Sequence, residues 1–302
     1  MNQAAESTGS TSQSTPPRGH VVVGFDGSPG AERAVDLAAD EALRRHTTLE
    51  VLHALEWVEL GHADDHFGQQ LREEARHIVE RGAERARLRH PELSIRSTVE
   101  FANAMDALEA ASDRAALLVV GSRGLGGFAG LLLGSVSLPV SAAARCPLLV
   151  VHPDHDTSGT DAAKPIVVGV SDDDCAAALE AAFARAQSQG LPLRALHVWR
   201  YPAMMAGSAG YAPALYDWRE VAHATVTTAL APLRGKYPDV TVVEDVALDT
   251  PAHALVGASA HATLVVLAAH RKTGRFGPNL GRVTHAVLHH SEAPVLLVPV
   301  TG

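Results

Sequence analysis

The chain has 302 residues, 46% of them hydrophobic and 20% charged, and carries 25 Lys and Arg against 34 Asp and Glu, a formal net charge of −9. At roughly 150 residues per domain this length predicts two compact units, each with its own core. The acidic balance opposes general nucleic-acid binding, which needs a positive surface to displace counterions from phosphates.

No apolar run approaches the roughly 20 residues that cross a bilayer, and the start lacks the basic-then-apolar order of a secretory signal. Cys146 and Cys175 are too few for a disulfide framework and have no metal-ligand spacing. A cytoplasmic protein with reduced thiols, away from membranes and nucleic acids, is the expectation.

Residues 1–17 form a Ser/Thr/Gln/Pro-rich tail, expected to be disordered. A buried strand is predicted at His20 to Gly24, followed by Phe25-Asp26-Gly27-Ser28 and an alanine-rich helix from Ala31 to Arg45. Leu49 to Leu55 reads as a second strand. Trp57 to Gln70 reads as an irregular stretch of the length typical of a lid or binding loop. From Glu73 to Leu88, Ile78, Val79, Ala83 and Ala86 share a helical face, with Arg and Glu on the other. Ala116 to Gly121 and Cys146 to His152 are further strand-like runs.

After a polar linker, 153–164, the plan repeats at nearly constant offset. Pro165 to Asp173 answers the first strand and its turn, and Ala176 to Gln189 the first helix. Leu193 to Trp199 answers the second strand, with a second long irregular stretch, Arg200 to Trp218, behind it. Thr263 to Ala268 and Ala293 to Pro299 answer the last two strands. Valine and leucine runs without polar alternation are how strands covered on both faces read, and the helical segments supply the crossovers that parallel strands need. The predicted fold is α/β: two tandem doubly wound domains, 18–152 and 165–302. Each is a mostly parallel five-stranded sheet with helices on both faces.

The segment after Val120 carries the chemistry. In open α/β sheets ligands bind beyond the carboxyl ends of strands. Gly121 and Gly124 remove Cβ atoms there, so that a ligand can lie against bare backbone. Gly134-Ser135-Val136-Ser137 then opens a helix whose first amides are available to an anion, with Ser135 or its neighbour as cap and the two serine hydroxyls as added donors. A phosphate cradle without a lysine is predicted. The absence of Gly-Lys-Ser/Thr excludes an ordinary P-loop, and the first turn lacks the dinucleotide fingerprint Gly-x-Gly-x-x-Gly. That turn instead offers Asp26, either as acceptor for a ribose or base or as a cap for the next helix.

Gly121 and Gly124 separated by two residues, then nine residues to Gly134-Ser135, between a hydrophobic strand and Cys-Pro-Leu-Leu-Val-Val, resemble the nucleotide-binding motif of the universal stress protein family. Val-Val-Val-Gly-Phe-Asp-Gly-Ser at the first strand and His53-Ala54 at the end of the second resemble it too. The resemblance covers both halves. It implies an adenine nucleotide alpha hydrolase-like fold and the ATP-binding branch of the family, with ATP held alone or with Mg2+. By position, Gly24 and Asp26 would take the nucleoside and Ala54 would line the base site. Val120, Gly121, Arg123 and Gly124 would surround the nucleotide, and Gly134, Ser135, Val136 and Ser137 would hold the phosphates. The resemblance also implies pairing through the last strand of each half, Leu148 to Val151 and Val295 to Val298, as an intramolecular pseudo-dimer with a homodimer as a further step.

The second half departs from the motif. Aligning Gly281 with Gly134 sets Ala268 against Gly121, His270 against Arg123, Arg271 against Gly124 and Arg282 against Ser135, with Ser171 in the place of Asp26. Thr284 keeps the hydroxyl of Ser137. The expectation is a domain that keeps its fold and has lost or weakened its nucleotide site. The rival reading gathers His270, Arg271, Lys272, Arg275 and Arg282 into a pocket for another anion. Seventeen histidines raise the question of a metal, and His285 and His289 are one helical turn apart, but no third ligand is evident and packing or surface roles are expected. His62, Asp64, Asp65 and His66 read as a polar loop. Three functions stay open: an ATP-binding stress or regulatory protein whose output is a change in conformation or association; a slow ATPase or nucleotidyl or phosphoryl transferase; and an interaction module with no nucleotide.

Overall fold

A computed structural model describes residues 19–56, 66–125, 133–152, 164–171, 174–200, 212–270, 272–274 and 277–300. The apolar runs become strands and the periodic segments become crossovers. The first half contains β1 (His20–Gly24), α1 (Pro29–Arg44), β2 (Leu49–Ala54), α2 (His66–Arg89), β3 (Ile95–Glu100), α3 (Ala104–Ser112), β4 (Ala115–Gly121), α4 (Ser137–Ala143) and β5 (Leu148–Val151). The second contains β6 (Ile166–Val170), α5 (Ala176–Gln189), β7 (Leu193–Trp199), α6 (Ala212–Lys236), β8 (Val242–Leu248), α7 (Pro251–Ser259), β9 (Leu264–Ala269), a small hairpin β10 (Lys272–Gly274) and β11 (Gly277–Asn279), α8 (Arg282–His290) and β12 (Val295–Pro299).

Ten strands form one sheet in the order β3-β2-β1-β4-β5-β12-β9-β6-β7-β8. Within each half the pairings are parallel and the order is third, second, first, fourth, fifth. The halves meet where β5 and β12 pair antiparallel, with Val150 opposite Val295 and Leu148 opposite Leu297. The expected intramolecular pairing through the last strands is therefore the seam of the molecule. It closes two apolar edges that would otherwise present unpaired backbone groups.

Successive residues of a strand face opposite sides of the sheet, and the cores divide accordingly. Val21 and Val23 point into one layer with α1, α2, α5 and α6; Val22 points into the other with α3, α4, α7 and α8. Both cores run across the seam. On the α1 side the seam carries charge: Glu41 of α1, 1% exposed, pairs with Arg185 of α5 as well as with Arg44 and Arg45. Burial pushes the Arg185 guanidinium down to about 10, so at neutral pH it stays charged.

Local expectations fare unevenly. Val79, Ala83 and Ala86 are buried on one face of α2 as the periodicity requires, and Ala176–Gln189 is a helix over its whole length. The two irregular stretches are shorter than expected. His66 to Gln70 already belong to α2, with Gly68 inside it, and Ala212 to Trp218 to α6, where Pro213 sits in the first turn and its missing N–H costs nothing. Trp57 to Asp65 and Tyr201 to Tyr211 lie outside the described residues, as do His62, Asp64 and Asp65 with them. Nor does Ser135 cap α4: the N-cap is Val136, without a side-chain cap bond.

Candidate functional site

The strand order reverses between β1 and β4, since the crossover from β1 leads to β2 on one side while β4 lies on the other. That reversal opens a crevice at the carboxyl ends, which is where ligands enter such sheets. Two turns meet there. After β1, Phe25 N–H donates to the Leu52 carbonyl at 2.8 Å, and the Phe25 carbonyl is met by His53 Nδ1 at 2.8 Å. Gly27 takes φ +83, a value that favours glycine. Ser28 caps α1, accepting from Ala31 N–H at 3.2 Å.

Asp26 is not the cap. Its Oδ1 accepts from Ser28 N–H at 2.9 Å, and its Oδ2 accepts from Leu125 N–H at 3.1 Å, reaching from the β1 turn to the glycine turn after β4. A carboxylate has about four lone-pair directions. Two are used here, so Asp26 retains capacity for a ligand while it ties the turns together.

The close approach is made by bare backbone. A Cβ on Gly121 would lie 2.8 Å from the Gly30 carbonyl carbon, and one on Gly30 would lie 2.8 Å from the Arg123 carbonyl oxygen. A Cβ on Gly124 would run into the Asp26 carboxylate. Behind the turn, Ser122 N–H donates to Val151 at 2.7 Å and Gly134 N–H to the Ser122 carbonyl at 2.7 Å. The Ser137 hydroxyl donates to the Gly121 carbonyl at 2.6 Å, so this predicted phosphate donor braces the strand end in the present arrangement.

These turns enclose a cavity of about 660 Å³, within the usual range for small-molecule sites. Every residue assigned to the first-half nucleotide site from the sequence lines it. Gly24 and Asp26 come from β1 and its turn, Ala54 from β2, and Val120, Gly121, Arg123 and Gly124 from β4 and its turn. Gly134, Ser135, Val136 and Ser137 lead into α4. The glycine cradle lies beside an apolar wall of Leu52, Ala54, Leu108 and Val120. Leu52, Ala104 and Leu108 carry no sequence signal for this site, because each reads as ordinary core. Two lining residues come from the other half: His285 and His289 of α8.

The second half repeats the framework, while its sequence departs from the glycine pattern of the cradle. His197 Nδ1 meets the Val170 carbonyl at 3.0 Å, as His53 meets Phe25. Ser259 accepts from Glu292 N–H at 3.0 Å, as Ser112 accepts from Arg145 N–H at 2.9 Å. But among the described residues a Cβ on Gly281 would meet nothing within 4 Å, whereas one on Gly134 would touch the Ser122 carbonyl at 3.4 Å. Arg282 is exposed and Thr284 buried. Arg271 and Arg275, on which the cationic-pocket reading partly depends, lie outside the described residues. Among the described residues no group of three or more His, Cys, Asp or Glu is arranged to hold a metal ion, and no helix is long and apolar enough to cross a membrane.

Fold and site together define a tandem doubly wound α/β protein with a ligand crevice at the strand reversal of its first half. The chain belongs to the universal stress protein family, whose model matches residues 17–152 and 162–299. A universal stress protein of Mycobacterium tuberculosis is 32% identical over 289 residues, covering 92% of this chain and 96% of that one. Another from the same organism is 31% identical over 299 residues, covering 92% and 95%. Among solved structures, a universal stress protein from Archaeoglobus fulgidus shares the fold with a TM-score of 0.66 at 19% identity, covering 92% of this chain and 98% of that one.

Proposed function

We propose that the first half binds ATP and that the chain is a nucleotide-dependent stress-response regulator, its output a change in conformation or association. The observation that carries this reading is the contrast in backbone approach. Gly121 and Gly124 sit where a Cβ would strike Gly30 and Asp26, around a lined cavity, while the matching turn of the second half carries alanine and arginine in its sequence and, among the described residues, a Cβ on Gly281 would meet nothing within 4 Å.

In this reading the apolar wall of Leu52, Ala54 and Leu108 receives the base, and the spare lone pairs of Asp26 accept from the ribose hydroxyls. The amides around Gly124 and Gly134, the Ser135 hydroxyl and the Arg123 guanidinium hold the phosphates. The bound nucleotide supplies a concentrated negative charge that bridges the β1 and β4 turns. Since Asp26 already links these turns, binding stiffens that link and transmits occupancy to α1 and α4, which leave them. The second half keeps the fold and contributes the seam.

The test is to denature the purified protein and quantify released nucleotide per chain by chromatography and mass. One ATP per chain is expected. Two would show that Ala268, Arg271 and Arg282 do not disable the second site. None, with no heat of binding on titration with ATP, would overturn the reading.

A further inference from the structure

The cavity of the first half is walled in part by the second. His285 and His289 lie one turn apart on α8, and both line a pocket whose other walls are first-half residues. They arrive there because the antiparallel β5–β12 seam sets α4 and α8 in the same core layer. Their rings are 4.4 Å apart between centroids and tilted by 30°. Nε2 of His289 is buried and, among the described residues, has no hydrogen-bond partner.

Packing does not account for these two side chains. The core-facing stripe of α8 is carried by Thr284, Val287 and Leu288. The shift that brings Gly281 onto Gly134 sets Leu138 and Ala142 of α4 against His285 and His289. The histidines therefore occur on one side of the pseudo-twofold only, on the helix that lines the cavity of the first half.

We propose that His285 and His289 form a proton-accepting wall of the nucleotide site, taking up one proton as the phosphates enter and so coupling occupancy of the first half to pH. This rests on the reading of the cavity as a nucleotide site. Two rings 4.4 Å apart between centroids do not readily carry two charges, so the proposed uptake is of one proton and not two. The groups around it are His290 on the same helix, 6.2 Å from His289 between ring centroids, and His152 after β5, whose Nε2 lies 2.9 Å from the Leu288 carbonyl. Arg123, Asp26 and His53 line the same cavity. Burial first, then the neighbouring histidines, hold His289 below its ordinary range, so that it is neutral near pH 7 without an anion. A phosphate reverses that balance, because it favours the imidazolium and accepts its charge-assisted hydrogen bond. Proton uptake on binding means tighter binding as pH falls.

The experiment is calorimetric titration of the full chain with ATP, and with adenosine, at about pH 6 and about pH 8, on either side of the ordinary histidine range. Between wild type and the variant His285→Gln/His289→Gln the ligand's own titration is common and cancels. Wild type is expected to gain about tenfold in ATP affinity at the lower pH relative to the double variant. Adenosine is expected to show no such gain, and His290→Gln to keep the wild-type slope. A wild-type slope that survives the double substitution overturns the proposal and leaves nucleotide binding standing. No ATP binding by wild type at either pH overturns both. Should the double variant fail a circular-dichroism check of folding, His285→Gln alone, at an exposed position, is expected to flatten the slope partly, and an unchanged slope there also overturns the proposal.

Discussion

At the end of β4 the first half runs Gly121-Ser-Arg-Gly124; at the end of β9 the second runs Ala268-Ala-His-Arg271. The strands before these turns pair alike, and the histidine that fastens the first turn of each half is present in both. What differs is whether a side chain fills the place where backbone would approach a ligand. The comparison separates the residues that make the fold from those that make a site. His53 and His197, or Ser112 and Ser259, occur in both halves because each satisfies a backbone group that folding itself leaves in need. Gly121 and Gly124 occur once.

Breaking the seam should give the largest effect. Glu41→Gln removes the carboxylate that pairs with buried Arg185 and leaves only the more distant charge of Asp40, a change that costs about 3 kcal/mol; thermal unfolding should show a lowered midpoint, and an unchanged one would mean that the halves do not depend on this contact. Gly124→Arg gives the first half the residue of the second. Its Cβ meets the Asp26 carboxylate, and ATP affinity should fall about a hundredfold by calorimetry, or roughly 2.7 kcal/mol, with circular dichroism unchanged. His53→Ala and His197→Ala each remove one hydrogen bond and should each cost about 1 kcal/mol in chemical denaturation. Only His53 lines the cavity, so only its loss should weaken ATP.

The smallest effect separates two helix starts. Asn103 caps α3 through a side-chain bond from Asp106 N–H, whereas Thr250 makes no such bond before α7, and there Asp249 pairs with His253 instead. The Asp249 hydrogen bond raises the His253 pKa, so its contribution is complete below the ordinary histidine range and is lost as pH rises through the raised value. In an NMR titration His253 should titrate above an ordinary histidine, and Asp249→Asn should bring it back down.

Much of this was legible in the sequence, for identifiable reasons. Val21 to Val23 and Leu117 to Val120 admit few structures other than doubly covered strands, and a second copy of the pattern confirmed the period. The glycine spacing led to residues that do line one cavity, because glycine is placed by local backbone need. The third strands were harder: Ile95–Glu100 and Val242–Leu248 are half-exposed and interleave charges. Arg185 was illegible, since an arginine in an alanine-rich helix reads as solvated until α1 is known to lie across the seam. His285 and His289 were noticed for their spacing, yet their partner in space depends on which helix crosses to which half, and that is a property of the antiparallel β5–β12 register.

That register has a last consequence. When two separate copies join by such an edge, association depends on concentration, and every substitution appears twice, once on each side of the axis. Joining the copies by a linker makes the encounter intramolecular, at an effective concentration in the millimolar range, so the paired state persists at any dilution. It also releases each side from having to match the other. One half is then free to lose its cradle and lend a helix to its neighbour, an inequality that identical copies would have to forgo.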